Sequence, residues 1–202
     1  TNPTNNPASL TLNQYTPFNT AINGRNFTFV NLDPVTISPN GGVYNFANVQ
    51  LTEGAPLQYT YTVYNPGPSE KYVIPNLNID TTSIRVVVQN SLTDLTTTAY
   101  TLADDTVGLT ATSNVFFMEM NPQEYFQLYF GDGVIGNKLV KNNLVVVSYL
   151  VSNGSLGNVS NNIIQEFTTS NLIGGGIPDS TITAVINSTG GSDAETIDQI
   201  KF

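Results

Sequence analysis

The chain of 202 residues contains no histidine, no cysteine and no tryptophan. Without histidine it lacks the most common general base, the most common metal ligand and every Ser–His or Cys–His nucleophilic pair. Without cysteine it cannot form disulfides or thiolate zinc sites. These absences predict a protein that is not an enzyme, and we expect no catalytic residues, no bound metal and no cofactor.

Charged side chains are also scarce, at 10% of the chain, whereas about a quarter is usual. Six Lys and Arg residues stand against fifteen Asp and Glu, which gives a net charge of −9. Nucleic-acid binding requires clustered cations that displace phosphate counterions, and here only Lys138 and Lys141 are close in sequence. The longest apolar runs, such as Leu144–Val147, are too short to span a bilayer. We therefore expect no nucleic-acid, membrane or small-molecule partner.

Alternating apolar and polar residues, bounded by Gly, Pro and Asn, recur along the whole chain and predict many short strands. The segment Leu144–Val151 is apolar on both faces, which predicts a central strand. The fold class predicted is all-β, with antiparallel sandwich or barrel-like sheets. The predicted strands are Ser9–Leu12, Asn26–Leu32, Val35–Ile37, Val43–Leu51, Gln58–Tyr64, Lys71–Pro75, Ile84–Gln89, Ala99–Thr101, Val115–Glu119, Phe126–Phe130, Asn143–Ser152, Ile163–Thr168 and Ile182–Asn187.

Two strong breakers, at 65–68 and 153–157, divide the strands into domains. We expect residues 8–67 plus 157–190 to form a discontinuous outer β domain, with residues 70–156 inserted as a second β domain. A tandem arrangement that splits near Pro68 is the alternative. The Asn-rich residues 1–7 are typical of a linker.

A helix is predicted to begin in residues 191–202. Ser192 precedes Glu195 by three residues, which is the spacing of a capping box, and acidic residues fill the first turn. The chain begins at Thr1 without Met and stops at Phe202 soon after this helix would start. Both ends therefore suggest cuts in a longer polypeptide.

Close carboxylates are the remaining candidates for catalysis or metal binding. Asp104 and Asp105 are adjacent, and Glu119 and Glu124 lie near each other in sequence. Neighbouring residues in an extended segment point to opposite faces, which does not suit a catalytic pair. Calcium is the metal that oxygen ligands would favour, but Asp104, Asp105 and Asp132 lack the spacing of a calcium-binding loop.

Gly131-Asp132-Gly133, followed by Gly136, superficially resembles a dinucleotide-binding glycine fingerprint. That fingerprint requires a helix to follow, whereas residues 137–143 lead into another strand. The pattern instead predicts a hairpin turn in which at least one of Gly131 and Gly133 has positive φ. Nearby aromatic residues are expected to belong to the core rather than to a sugar-binding platform, and these are Phe116, Phe117, Tyr125, Phe126, Tyr129 and Phe130.

Two blocks of the chain resemble a known family. The first contains Tyr129–Gly136, the strand Leu144–Val151 and the segment Asn153–Val159. The second is Gly190–Lys201, whose Gly-Gly-Ser-Asp-Ala-Glu opening is similar to the start of a helix in baseplate J-like proteins. Together and in this order, the blocks resemble the middle of a baseplate wedge subunit of large contractile-tailed bacteriophages.

The resemblance implies a structural role in the virion, at the tail baseplate, after assembly in the host cytoplasm. The implied partners are other baseplate wedge subunits and further copies of the same protein. It also implies that the motif residues maintain the fold: Gly131, Asp132, Gly133, Gly190, Gly191, Asp193 and Glu195. Low charge, abundant Thr and Asn and the lack of Cys fit a different class equally well, a secreted bacterial adhesin or a carbohydrate-binding β-sandwich.

Overall fold

The computed structural model describes residues 7–159 and 186–192. It divides the chain into two compact units, unit 1 (Thr1–Pro56 with Val151–Phe202) and unit 2 (Leu57–Leu150). The sequence-based boundaries placed residues 57–67 in the outer domain, whereas the structure has them in unit 2. The reason is hydrogen bonding, because the strand that contains Tyr59 and Tyr61 belongs to the unit 2 sheet. The Pro-rich segment after that strand is therefore a loop within unit 2.

The described residues form strands and one short 3₁₀ helix, so the all-β prediction is confirmed. Predicted strand Ile163–Thr168, nearly all of Ile182–Asn187, and the predicted helix after Ser192 lie outside the described residues. The strands of unit 1 are β1 (Leu10–Leu12), β2 (Pro17–Ile22), β3 (Arg25–Val30), β4 (Val35–Ile37) and β5 (Thr52–Glu53), with the 3₁₀ helix at Gly154–Gly157. The strands of the unit 2 sheet are β6 (Ala55–Thr62), β7 (Tyr72–Val73), β8 (Ile79–Gln89), β9 (Thr97–Leu102), β10 (Val115–Met120), β11 (Phe126–Phe130) and β12 (Leu144–Val151).

The described part of unit 1 forms two small antiparallel sheets, β1–β4 and β2–β3–β5. The predicted strand at Val43–Leu51 is wrong: apart from an isolated bridge at Val43, this stretch has no strand residues and contains a turn at 47–48. The physical cause is that Asn48 has φ +56°, which interrupts the extended conformation of a strand. The core of the unit is a cluster of Leu12, Phe18, Ile22, Phe27 and Phe29.

Unit 2 is built on a seven-stranded sheet in the order β6-β12-β8-β9-β10-β11-β7. Its first and last strands approach each other, since the Tyr61 hydroxyl on β6 donates to the Val73 carbonyl on β7 at 2.6 Å. The sheet therefore nearly closes into a barrel, in which β9 and β10 form a parallel pair. The central position predicted for β12 is confirmed, because Val145 and Leu150, on opposite faces, are both fully buried.

The strand order also corrects the predicted hairpin after β11. Strands β11 and β12 are not neighbours, because β12 lies between β6 and β8. Residues 131–143 therefore form a connection between distant strands of the barrel and not a hairpin turn. Local sequence predicted the turn conformation, but pairing with β6 and β8 determines where the next strand goes.

Candidate interaction surface

Four large apolar side chains are exposed on three loops of unit 2. Tyr64, Leu92, Leu95 and Val140 have 64%, 80%, 71% and 66% of their surface accessible. We call this set the apolar tip. A single exposed leucine needs no explanation, whereas several exposed apolar side chains on connected loops are a candidate contact surface. Hydrogen bonds hold these three loops.

Asn143 connects the three loops of the apolar tip. Its Nδ2 donates to the Asn90 carbonyl at 2.9 Å, and its Oδ1 accepts the Val140 amide at 2.7 Å. Its own carbonyl accepts the Val63 amide at 2.9 Å. One residue therefore fixes the loop that carries Val140, the base of the loop that carries the two leucines, and the strand end next to Tyr64.

Asp94 fixes the loop between β8 and β9. Its Oδ2 accepts a hydrogen bond from Asn90 Nδ2 at 2.8 Å, and its Oδ1 accepts the Thr96 amide at 3.0 Å. The Asp94 amide donates in turn to Ser91 Oγ at 2.9 Å. The bond from Asn90, followed by those from Thr96, lowers the pKa of the Asp94 carboxyl, so it stays ionised and keeps these acceptor sites.

Glu70 fixes the third loop, the one that carries Tyr64. Its carboxylate accepts the Tyr64 amide at 2.9 Å and the Asn65 amide at 3.2 Å, and Tyr72 donates its hydroxyl to the same group at 2.9 Å. Burial, and then the hydrogen bond to Glu70, raise the pKa of Tyr72, so its hydroxyl remains a donor. The apolar tip is thus presented on loops that are ordered by side-chain to backbone hydrogen bonds.

The apolar tip was missed by sequence reasoning because its residues occur in turns rich in Ser, Thr, Asp and Asn. The one available signal was the presence of leucine inside such a turn, in Ser91-Leu92-Thr93-Asp94-Leu95. The exposed apolar side chains of the apolar tip are suited to binding another apolar surface. They do not provide a nucleophile or an acid–base pair.

The first predicted motif, Gly131-Asp132-Gly133, lies in unit 2 and adopts a tight turn. Asp132 Oδ1 accepts the amides of Val134 at 2.8 Å and Ile135 at 2.9 Å, and these bonds lower the pKa of its carboxyl. Gly133 has φ +90°, which confirms the predicted positive φ. Gly131 is required for another reason, since a Cβ there would lie 2.3 Å from the Gly136 carbonyl carbon.

The second predicted motif, Gly190-Gly191, lies in unit 1 beside the 3₁₀ helix. Gly190 has φ +90°, and a Cβ on Gly191 would lie 2.4 Å from the Gly154 carbonyl oxygen. Asn158 holds Gly191 at both backbone groups: its Oδ1 accepts the Gly191 amide at 2.8 Å and its Nδ2 donates to the carbonyl at 2.6 Å. Asp193 and Glu195 lie outside the described residues.

The two motifs belong to different units. The structure does bring together two segments on which the family resemblance depends, Asn153–Val159 and Gly190–Gly191. Close backbone approach explains why glycine occupies position 191, and this is a requirement of the fold. In the sequence, the Gly-Gly pair lies far along the chain from the Gly-rich segment. Nothing in this pattern indicates that the two segments lie in contact.

Two of the candidate carboxylates, Asp105 and Glu119, form local contacts. Asp105 Oδ1 accepts the Val107 amide at 2.8 Å. Glu119 Oε1 lies 3.0 Å from Lys71 Nζ and accepts a hydrogen bond from Gln127 at 2.7 Å, and the Lys71 partner is the main cause of its lowered pKa. Within residues 7–159 and 186–192 no group of three or more acidic side chains could hold a metal ion.

Of the six aromatic residues predicted for the core, only Phe116 and Phe130 are buried. Tyr125 and Phe126 are partly buried. Phe117 and Tyr129 instead stack on each other, half-buried, with ring centroids 5.1 Å apart, and Lys71 Nζ lies 3.4 Å from the Tyr129 centroid. Stacking and the ammonium group leave Tyr129 little free ring surface on which a sugar could stack.

Comparison of the sequence with models of known protein families finds none that matches. Comparison with curated protein sequences finds no significant match either. Among the described residues, no helix is long and apolar enough to cross a membrane.

Proposed function

We propose that this chain is a structural component of a phage tail baseplate, a wedge subunit that links baseplate proteins through protein–protein contacts. The observation that carries the proposal is the apolar tip, four exposed apolar side chains on hydrogen-bonded loops. The proposal is supported by the resemblance to baseplate J-like proteins, which is carried by Tyr129–Gly136, Leu144–Val151, Asn153–Val159 and Gly190–Lys201. Its expected setting is the virion, at the tail baseplate, after assembly in the host cytoplasm.

The physical basis of the proposed contact is burial of apolar surface without a large ordering cost. Fully burying a leucine side chain contributes roughly 1.5–3 kcal/mol. Part of this favourable free energy is usually offset on binding by the entropy cost of ordering loops and side chains. Here Asn143, Asp94 and Glu70 already order the loops in the free protein, so the entropy cost of ordering them on binding is smaller. The expected partners are neighbouring wedge subunits and other copies of the protein.

The rival proposal is a secreted adhesin or carbohydrate-binding β-sandwich. An exposed aromatic platform would support it. Within the aromatic cluster considered for sugar binding, the ring of Tyr129 is occupied by Phe117 and Lys71. The two proposals differ in a simple assay, because selective binding on a glycan array is expected only of the rival.

The experiment that tests the proposal uses phage particles that carry the gene for this protein. Mass spectrometry of purified tails should detect the full-length protein, and a Leu92→Asp/Leu95→Asp variant should reduce its incorporation. Thr93→Asp is the matched control, because it adds a charge to the same loop without removing apolar surface. Absence of the protein from tails, or equal incorporation of all variants, would contradict the proposal.

A further inference from the structure

The wall of the unit 2 barrel has an opening where β9 ends. Strand β9 pairs with β8 on one side, Val86 opposite Tyr100, and with β10 on the other, Phe116 opposite Leu102. Strands β8 and β10 both continue beyond the end of β9 in the same direction. Two strands that flank a third are about 10 Å apart, so the end of β9 leaves a gap about one strand wide. We call this gap the slot.

The slot is a cavity of about 290 Å³ with an apolar interior. Ligand pockets for drug-sized molecules usually measure about 300–1,000 Å³, so the slot suits a few side chains rather than a large ligand. Threonines and one cation, Arg85, form its polar part. The lining residues are Thr81, Thr82, Ile84, Arg85, Tyr100, Thr101, Leu102, Phe116 and Met118.

One side of the slot presents a strand edge. The Phe116 carbonyl accepts the Ala103 amide at 2.9 Å, the last contact of this kind before the chain turns away. Backbone groups of alternate residues point to the same side of a strand. Met118 and Met120 therefore direct their amide and carbonyl groups toward the slot, past the end of β9. These are the two methionines of the chain, and methionine adapts readily to different apolar partners.

The other side of the slot is covered by charged side chains of β8. Asp80 Oδ1 accepts the Thr82 amide at 2.9 Å, and Arg85 Nη1 donates to the carbonyls of Thr82 at 3.1 Å and Ile84 at 3.2 Å. Charged side chains that cover an edge in this way prevent indiscriminate strand pairing. An added strand would consequently pair with β10.

Arg85 keeps binding capacity beyond these two carbonyls. A guanidinium has five N–H donors in a planar fork that matches a carboxylate. In the part of the chain that the structure describes, Arg85 donates both of these hydrogen bonds from Nη1, and the ion pair found there joins Lys71 to Glu119. A cation beside an apolar cavity, in a protein of net charge −9, favours a ligand that has both an apolar part and a carboxylate.

We propose that the slot takes up an extended segment of a partner protein as an added strand beside β10, with apolar side chains in the cavity and a carboxylate on Arg85. Addition of a strand to a sheet edge is a recurrent mode of peptide recognition, in which backbone hydrogen bonds provide affinity and pockets provide specificity. The inference rests on the proposed function in one respect, that the segment belongs to a neighbouring tail protein.

The probe is a set of acetylated, amidated peptides of alternating Thr and Val or Ile, each with one Glu at a different position, and the same set with Gln. Binding to the protein is measured by fluorescence anisotropy, and backbone amide shifts of Met118 and Met120 are followed by NMR. We expect one Glu peptide to bind about tenfold more tightly than its Gln counterpart. Arg85→Gln should remove this difference, whereas Lys141→Gln, which removes the same charge elsewhere in unit 2, should retain it.

Arg85→Lys provides a second test, because lysine keeps the positive charge but lacks the planar fork of the guanidinium. This variant should retain only part of the difference in affinity between the Glu and Gln peptides. The proposal is overturned if no peptide binds at millimolar concentration, if the Glu advantage survives in Arg85→Gln, or if the NMR shifts leave Met118 and Met120 unaffected. These outcomes would not change the expected result of the tail-incorporation experiment. Conversely, absence of the protein from tails would not alter peptide binding.

Discussion

Replacement of Gly131 by alanine is expected to destabilise unit 2 through a backbone clash. The added Cβ would lie 2.3 Å from both the carbonyl carbon and the oxygen of Gly136, whereas a normal contact is about 3.5 Å. The backbone must therefore shift by about 1 Å. This shift is resisted because the Gly136 amide is bonded to the Thr110 carbonyl at 3.1 Å and its carbonyl accepts the Gly133 amide at 3.1 Å. We expect a loss of about 3 kcal/mol in the free energy of unfolding, the upper end of the usual overpacking range.

The matched control is Gly108→Ala, in the same unit. Gly108 has φ +77° with nothing within 4 Å of an added Cβ, so it should lose only about 1 kcal/mol from left-handed strain. Gly133→Ala, at φ +90°, should resemble this control. Urea denaturation of the three variants, monitored by circular dichroism, measures the difference. If Gly131→Ala is no more destabilising than Gly108→Ala, the close approach of residues 131 and 136 is refuted.

Three further changes test the electrostatics and the loops. Lys71→Met should lower the free energy of unfolding by about 1 kcal/mol, with a smaller loss in high salt, whereas Lys141→Met should have little effect in urea denaturation. The lowered pKa of Asp132 means that its stabilising contribution is present above pH of about 4 and is lost as pH falls through the folded-state pKa, so Asp132→Asn should flatten the acid side of the stability–pH curve. Asn143→Ala should cost about 1–3 kcal/mol and speed amide hydrogen exchange at Val140.

Strands with strong local patterns could be predicted from the sequence. Phe126–Phe130 was predicted with its observed bounds, because alternation and turn residues on both sides act locally. The strand Pro17–Ile22 was missed, since Asn19 and Thr20 weaken its apolar alternation and it is completed by pairing with β3. The order of strands in the barrel, and the parallel pairing of β9 with β10, depend on contacts between distant segments that no local pattern encodes.

The two surfaces proposed for binding were even less predictable from the sequence. The glycine at position 133 indicated a positive φ, because few other residues tolerate that conformation. The apolar tip and the slot carry no such local signal. Leu92 and Val140 are 48 residues apart in the sequence. The loops that carry them are connected by the hydrogen bonds of Asn143. The slot exists only because β8 and β10 flank a shorter strand.

The central claim, that this protein joins baseplate subunits through the apolar tip, is tested most directly by cryo-electron microscopy of intact tails that contain the full-length protein. The account predicts that the protein lies in the baseplate and that Tyr64, Leu92, Leu95 and Val140 are buried against a neighbouring subunit. A map in which these four side chains face solvent, or in which the protein lies outside the baseplate, would contradict it.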